Sequence, residues 1–341
     1  MSVDKKQFMH NDIRLTAGEL AVLWSQYQAD TMVICVLKHF EAKLEDPDIR
    51  PVLEFAIEKA LNHIKVIREI FNSDKYPIPI RFNDSDVNVD APRLFSDVFL
   101  AMYLRHMAML GMTAGAIAVG MCARSDVSII IMDIMADAVE LHDKARKLLL
   151  VKGLYIRSPA LSTPDKVEFV SKQSFLTGFF GEKRSLTAME IAHLFFNGST
   201  NTLGKALMMG FAQVAGSPDV KDFMQRGKNI SSKHIKLLSD TLIKEDLPAP
   251  MTCESTVTDS TTAPFSDELM VFHTNIMIAQ GLGNYSKAIA VSQRRDIGLL
   301  YARLLPEIGL YAEDGLKIMI ENQWMEEPPQ ANNRDAIVKK S

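Results

Sequence analysis

The chain has 341 residues, is 47% hydrophobic and 23% charged, and carries a formal net charge of −4, values of a folded chain long enough for two domains of ordinary size. That charge, with no long run of one sign, gives no electrostatic footprint for nucleic acid and argues against binding to an acidic membrane surface. The three cysteines, Cys35, Cys122 and Cys253, are widely spaced and odd in number, which argues against a disulfide framework and fits a reducing compartment.

The opening "MSVDKKQFMHNDIRL" lacks the apolar stretch of a signal peptide, so the expectation is a cytoplasmic chain, not one secreted through a leader. Thr16 and Glu19 then form a T-x-x-E capping box, with Leu15 and Leu20 placed to close a hydrophobic staple. The first helix is predicted to run to about Lys43. Asp46-Pro47 reads as the cap and first position of a second helix, with Pro51 bending it one turn later. A loop rich in Pro, Asn, Asp and Ser, "SDKYPIPIRFNDSDVNVDAP", follows, and a third helix begins near Phe95. Within it Met107 to Ala123 carries no charge. The segment is slightly short for a membrane span, which needs roughly 20 apolar residues. Its counterpart later in the chain contains Gln280, Asn284 and Lys287, so a buried bundle helix is the expectation and no membrane span is predicted. A short "ARSD" joint leads to the fourth helix.

The second half repeats this order. A shift of 171 residues carries His63 to His234, "LTAGEL" to "LTAMEI", "EDPDIR" to "GSPDVK", and Pro77 and Pro79 to Pro248 and Pro250. After the long loop the shift becomes 170, pairing Phe95-Ser-Asp with Phe265-Ser-Asp. "AIAVGMCARSDV" at Ala116 is paired with "KAIAVSQRRDI" near Lys287. The chain reads as a tandem duplication with a period far too long for a solenoid. The predicted fold is all-α: two tandem ferritin-like four-helix bundles, each with one long crossover between its second and third helices. The expected boundaries are 1–157 for the first bundle, 158–185 for an ordered aromatic linker, 186–328 for the second bundle and 329–341 for a polar tail. Phe169, Phe175, Phe179 and Phe180 of the linker are expected to be buried between the bundles and to hold their angle. The alternative is an exposed docking strip for a partner.

The stretch "VEFVSKQSFLTGFFGEKRSLTAMEIAHLF", the paired "LTAxE" helix starts and the P-x-P crossovers together resemble an uncharacterised family of tandem ferritin-like proteins. These come from spore-forming bacteria, and some are labelled spore coat protein. The resemblance covers nearly the whole chain. It implies the double bundle and a link to sporulation, and it brings no catalytic residues to carry over.

Ferritin-like di-metal centres need Glu on two helices and Glu-x-x-His on the other two. The chain has one Glu-x-x-His, Glu190 to His193, in a first turn where Glu190 already has a capping role, so the di-iron set is absent from both halves. A different constellation lies on the inward stripes. His63 sits in register with Asp30 and Asp137, and His234 with Asn201 and Glu307, one candidate polar layer per bundle. Two chemistries fit. Each layer is a buried hydrogen-bond network, because a buried polar group recruits partners and such a layer fixes helix register. Alternatively, Asp30, His63 and Asp137 hold Fe, Mn or Zn in a reduced mononuclear site, with Asn201 a poor ligand in the second bundle. The first is favoured: no catalytic residues, no cofactor, and a structural or interaction role whose partners are spore coat proteins or further copies of the chain. The runner-up is a metal-binding or redox protein using the first layer. A third class, a small-molecule binder with a pocket between the bundles, has no dedicated sequence signal. The smooth third helix with Gly111, Gly115 and Gly120 reads as close packing, "GLGNYS" is not a phosphate loop, and the methionines read as core fillers.

Overall fold

A computed structural model of the chain describes residues 13–179 and 183–334. The first twelve residues, Phe180 and the end of the tail lie outside the described residues. Among the described residues eight long helices follow one another: α1 (Ala17–Lys43), α2 (Arg50–Ser73), α3 (Asp97–Met121), α4 (Ser125–Val151), α5 (Ala188–Val214), α6 (Pro218–Ile243), α7 (Asp267–Val291) and α8 (Arg295–Glu321). α1–α4 and α5–α8 each form a four-helix bundle, with a long crossover between the second and third helices.

Both capping boxes are formed. Thr16 accepts from the Glu19 amide at 3.3 Å while Glu19 accepts from the Thr16 amide at 2.7 Å. Thr187 and Glu190 do the same. Each of these glutamates is fully buried because it serves a second purpose. Glu19 also accepts from the amides of Ala123 and Arg124 in the α3–α4 joint, and Glu190 from that of Arg294 in the α7–α8 joint. Burial works against each carboxylate, yet these donors hold Glu19 below the usual range and, with Arg184, bring Glu190 to about 2. From the same joints Arg124 grips Asp74 and Asp126, and Arg294 grips Glu245 and Asp296. One end of each bundle is thus tied through four segments by a buried acid and a buried guanidinium.

Three expectations need correction. Asp46-Pro47 opens a turn, and α2 starts at Arg50 with Pro51 in its first turn. Proline inside a helix clashes with the carbonyl four residues earlier, here that of Pro47, so a helix begun at Pro47 would hold Pro51 in strain. In α6, which lacks the second proline, Ser217 caps and Pro218 is the first helical residue, as expected. The "AIAV" strings are two residues out of structural register. α3 and α7 have equal lengths, and both their ends are related by 170. The latter half of α3 is also not fully buried. Gly115 is enclosed, but Ile117 is 64% exposed, on the side of α3 that lines an open cleft between the bundles. By length and composition α1 alone among the described residues could cross a membrane, and 56% of its apolar window is buried inside the bundle.

The halves meet as a pseudo-dimer. The crossovers exchange backbone pairs: Val87 bridges Phe265 and Phe95 bridges Val257. The Ser96 amide donates to Thr256 (2.8 Å) and the Ser266 amide to Asp86 (3.0 Å). Residue i contacts the counterpart of j, and j that of i, which is the signature of an isologous contact. On the local axis the Tyr103 hydroxyl lies 3.2 Å from Nε2 of its own counterpart, His273. Phe40, Phe95, Phe99 and Phe211 pack around this pair, and such ring pairs add ~0.5–1.5 kcal/mol each beyond their buried area. The symmetry breaks at Gly210, where a Cβ would sit 2.5 Å from the Phe95 ring. Its counterpart His39 instead meets Phe265 edge-on at 5.5 Å.

These rings occupy the place expected for the linker aromatics. Phe169 is 96% exposed and Phe179 52% exposed. Phe175 is half-buried beneath the Arg184 guanidinium, 4.1 Å from its ring. The linker crosses the surface, and rings from the helices and crossovers pack the contact around the local axis.

Candidate functional site

α1, α2 and α4 bring Asp30, His63 and Asp137 together inside the first bundle. His63 Nε2 lies 3.1 Å from Asp137 Oδ2, and Nδ1 lies 3.5 Å from Asp30 Oδ2. The Gln26 amide donates to Asp30 at 2.9 Å and Lys59 pairs with Asp137 at 2.9 Å. Burial opposes the charge on His63, but the two carboxylates outweigh it and the imidazole pKa is raised. A protonated ring has an N–H for each side, which is what a histidine between two acids requires.

In the second bundle His234 is completely buried. Its Nε2 lies 3.1 Å from Glu307 Oε2, the same separation as in the first bundle. Asn201 does not reach it directly. The Asn201 amide donates to the Tyr285 hydroxyl at 2.8 Å, and that hydroxyl lies 2.9 Å from His234 Nδ1. The donor order is self-consistent for a neutral ring: Asn201 to Tyr285, Tyr285 to Nδ1, Nε2–H to Glu307. Lys233 closes the chain on Glu307 at 2.9 Å. Burial lowers the pKa of His234, and Glu307 only partly offsets this.

Sequence reasoning missed Tyr285, which lies in the "GLGNYS" string. A shift of 170 pairs it with Gly115, and a glycine-to-tyrosine exchange between copies was the available signal. It also missed Lys59 and Lys233. The Glu-x-x-His match does not build a site: Glu190 is committed to its cap and Arg184, while His193 faces a cleft between the bundles.

The geometry bears on metal binding. Asp30 and Asp137 face opposite nitrogens of one imidazole, so the three side chains do not converge on a point. Among the described residues no group of three or more His, Cys, Asp or Glu is arranged to hold a metal ion.

A family model described as "Protein of unknown function (DUF3231)" matches the chain twice, over residues 4–167 and 174–337. The chain belongs to the DUF3231 family. The two matches correspond to the two bundles and together span nearly every residue. No curated protein matches the chain. A crystal structure of a "putative spore coat protein" from Bacillus halodurans C-125 matches it at 22% identity and a TM-score of 0.41, covering 45% of this chain and 98% of that one.

Proposed function

We propose that this DUF3231 protein is a non-enzymatic structural or interaction protein, a fused pair of degenerate ferritin-like bundles whose polar layers are internal scaffolding. The single crossover per bundle is the ferritin-like connectivity, and the near-complete repeat supports duplication of one bundle. The observation that carries the reading is the commitment of the polar atoms. In the second layer Asn201, Tyr285, His234, Glu307 and Lys233 form a closed donor chain. In the first, His63 Nε2 is bonded to Asp137, and both acids are themselves paired, Asp30 with Gln26 and Asp137 with Lys59, while Nδ1 stands 3.5 Å from Asp30 without a hydrogen bond. A catalytic or metal centre keeps a position open to substrate or water.

The test is elemental analysis of the full chain, purified without a metal-affinity tag and incubated with Fe(II), Mn(II) and Zn(II), with His63→Ala beside it. The expected result is no metal above trace in either protein. Near one metal ion per chain, lost in His63→Ala, would overturn the reading in favour of a metal or redox site. A role in spores rests on the resemblance carried by the linker motif. A fluorescent fusion should concentrate at the forespore or spore surface, and a signal that stays diffuse in the mother cell throughout sporulation contradicts it.

A further inference from the structure

A wide opening in the molecule has no part in the polar layers. It is a cleft of about 1110 Å³ between the bundles, bounded by α3, α4, the segment after α4, α5 and α7. Its size lies just above the usual range of roughly 300–1,000 Å³ for small-molecule sites. Met102, Met109, Leu154, Phe195 and Phe196 give it apolar walls. Arg105, Arg146, Arg157 and Lys287 also line it, and among the described residues no Asp or Glu does, although the chain as a whole is acidic.

The cationic groups are poorly compensated. Arg105 lies over the Tyr155 ring, 4.8 Å from its centroid, and its buried Nε has no partner. Arg146 shares Asp143, outside the cleft, with Lys147. Arg157 and Lys287 are exposed. His106 is 93% buried by its 7% exposure and lines both this cleft and an adjoining cavity of about 90 Å³ in the second bundle. Burial and then Arg105 push it down to about 4, and His193 is likewise lowered by burial and Lys287.

The pseudo-equivalent face shows what the chain does where it fills such a cleft. There Arg81 lies between Phe82 and Phe272 and pairs with Glu268. Glu326, on the segment after α8, accepts from the backbone amides of Ile80 (2.7 Å) and Arg81 (2.9 Å) and from Gln28 (3.1 Å). The counterpart of Glu326 is Ile156. The counterparts of Arg105, Arg146, Arg157 and Lys287 are Asn275, Leu316, Glu327 and Ile117. One face holds a carboxylate of its own, and the other has cations where that face has none.

We propose that the open cleft binds a small organic anion, an apolar body carrying a carboxylate or a phosphate. Its head is held by the arginines and Lys287, and its body lies against the methionine and phenylalanine walls. This goes beyond the scaffold role and does not depend on the polar layers.

Isothermal titration of the full chain with dodecanoate, dodecyl phosphate and dodecyltrimethylammonium tests it. Arg157→Gln, which breaks no ion pair, and Thr113→Glu, which places a carboxylate at an exposed cleft position, are run alongside with their unfolding midpoints. The expected result is one site per chain for at least one anion, with no competition from the cation. Binding should weaken about tenfold in each variant, the scale of one charge-assisted hydrogen bond, with midpoints unchanged. The tighter of the two anions assigns the head group. No binding by either anion, equal binding of the cation, or unchanged affinity in both variants overturns the proposal.

Discussion

The two polar layers hold a histidine at the same position, 3.1 Å from an acid on the last helix of its bundle. Yet the two imidazoles shift in opposite directions, His63 upward and His234 downward. The shared acid therefore does not decide the charge. The partner of the other ring nitrogen does: the Asp30 carboxylate in the first bundle, the Tyr285 hydroxyl in the second. A second acid favours the imidazolium, whereas a hydroxyl donating to Nδ1 completes a neutral network. The two bundles share a frame, and the electrostatics of their cores differ.

The largest contrast between the halves is expected at the buried caps. Glu190→Ala removes amide acceptors and also strands Arg184, so a loss of ~3–5 kcal/mol is expected, the scale of breaking a buried pair. Glu19→Ala leaves unpaired amides without an orphaned guanidinium partner, and ~1–3 kcal/mol is expected. Denaturant unfolding of both variants measures the difference, and equal losses would mean that Arg184 adds nothing.

Within the layers, Tyr285→Phe leaves Nδ1 of His234 and the Asn201 amide without their shared partner, for ~1–3 kcal/mol. Asp30→Asn is the complementary change, since Asn201 is the counterpart of Asp30. It should convert the upward shift of His63 into a downward one, and a still-raised His63 would show that Asp137 alone suffices.

The pH dependence follows with opposite signs. A raised His63 contributes stability that is present in full below the unfolded value of about 6.5 and lost as pH rises through its folded value. The lowered His234 contributes stability present above about 6.5 and lost as pH falls through its folded value. His39 and His106, each lowered by burial to about 4, and His273, lowered to about 3, add to the acid-side loss. His39 and His273 lie at the contact between the bundles, so acid should loosen that contact along with the second core. Unfolding midpoints against pH should show an alkaline-side loss that Asp30→Asn removes. The smallest effect is expected at the linker, where Phe169→Ser should stay within ~0.5 kcal/mol, because that ring buries almost nothing.

Much of the frame was legible because its signals are local. Capping boxes, helix-period stripes and the repeat located the helices to within a few residues. The α2 start was misread because two prolines four residues apart must be considered together. The alignment of the polar residues across helices could be counted from the turns, but Tyr285 could not, since it reaches the layer from α7 with no local pattern of its own. The linker misled because aromatic density says that rings prefer burial, not which rings take the contact. Here Phe95, Phe99 and Phe211 take it. The cationic cleft was illegible because Arg105, Arg157 and Lys287 are far apart in sequence and meet through the pseudo-dimer.

The most direct test of the account is an NMR titration of His63 and His234 in the intact chain and in Asp30→Asn. The account predicts His63 above and His234 below the ordinary imidazole value of about 6.5, with His63 crossing to the lower side in the variant. Two histidines titrating on the same side in the unmodified chain would contradict it, and would mean that the shared acid, not the second partner, sets the charge of the core.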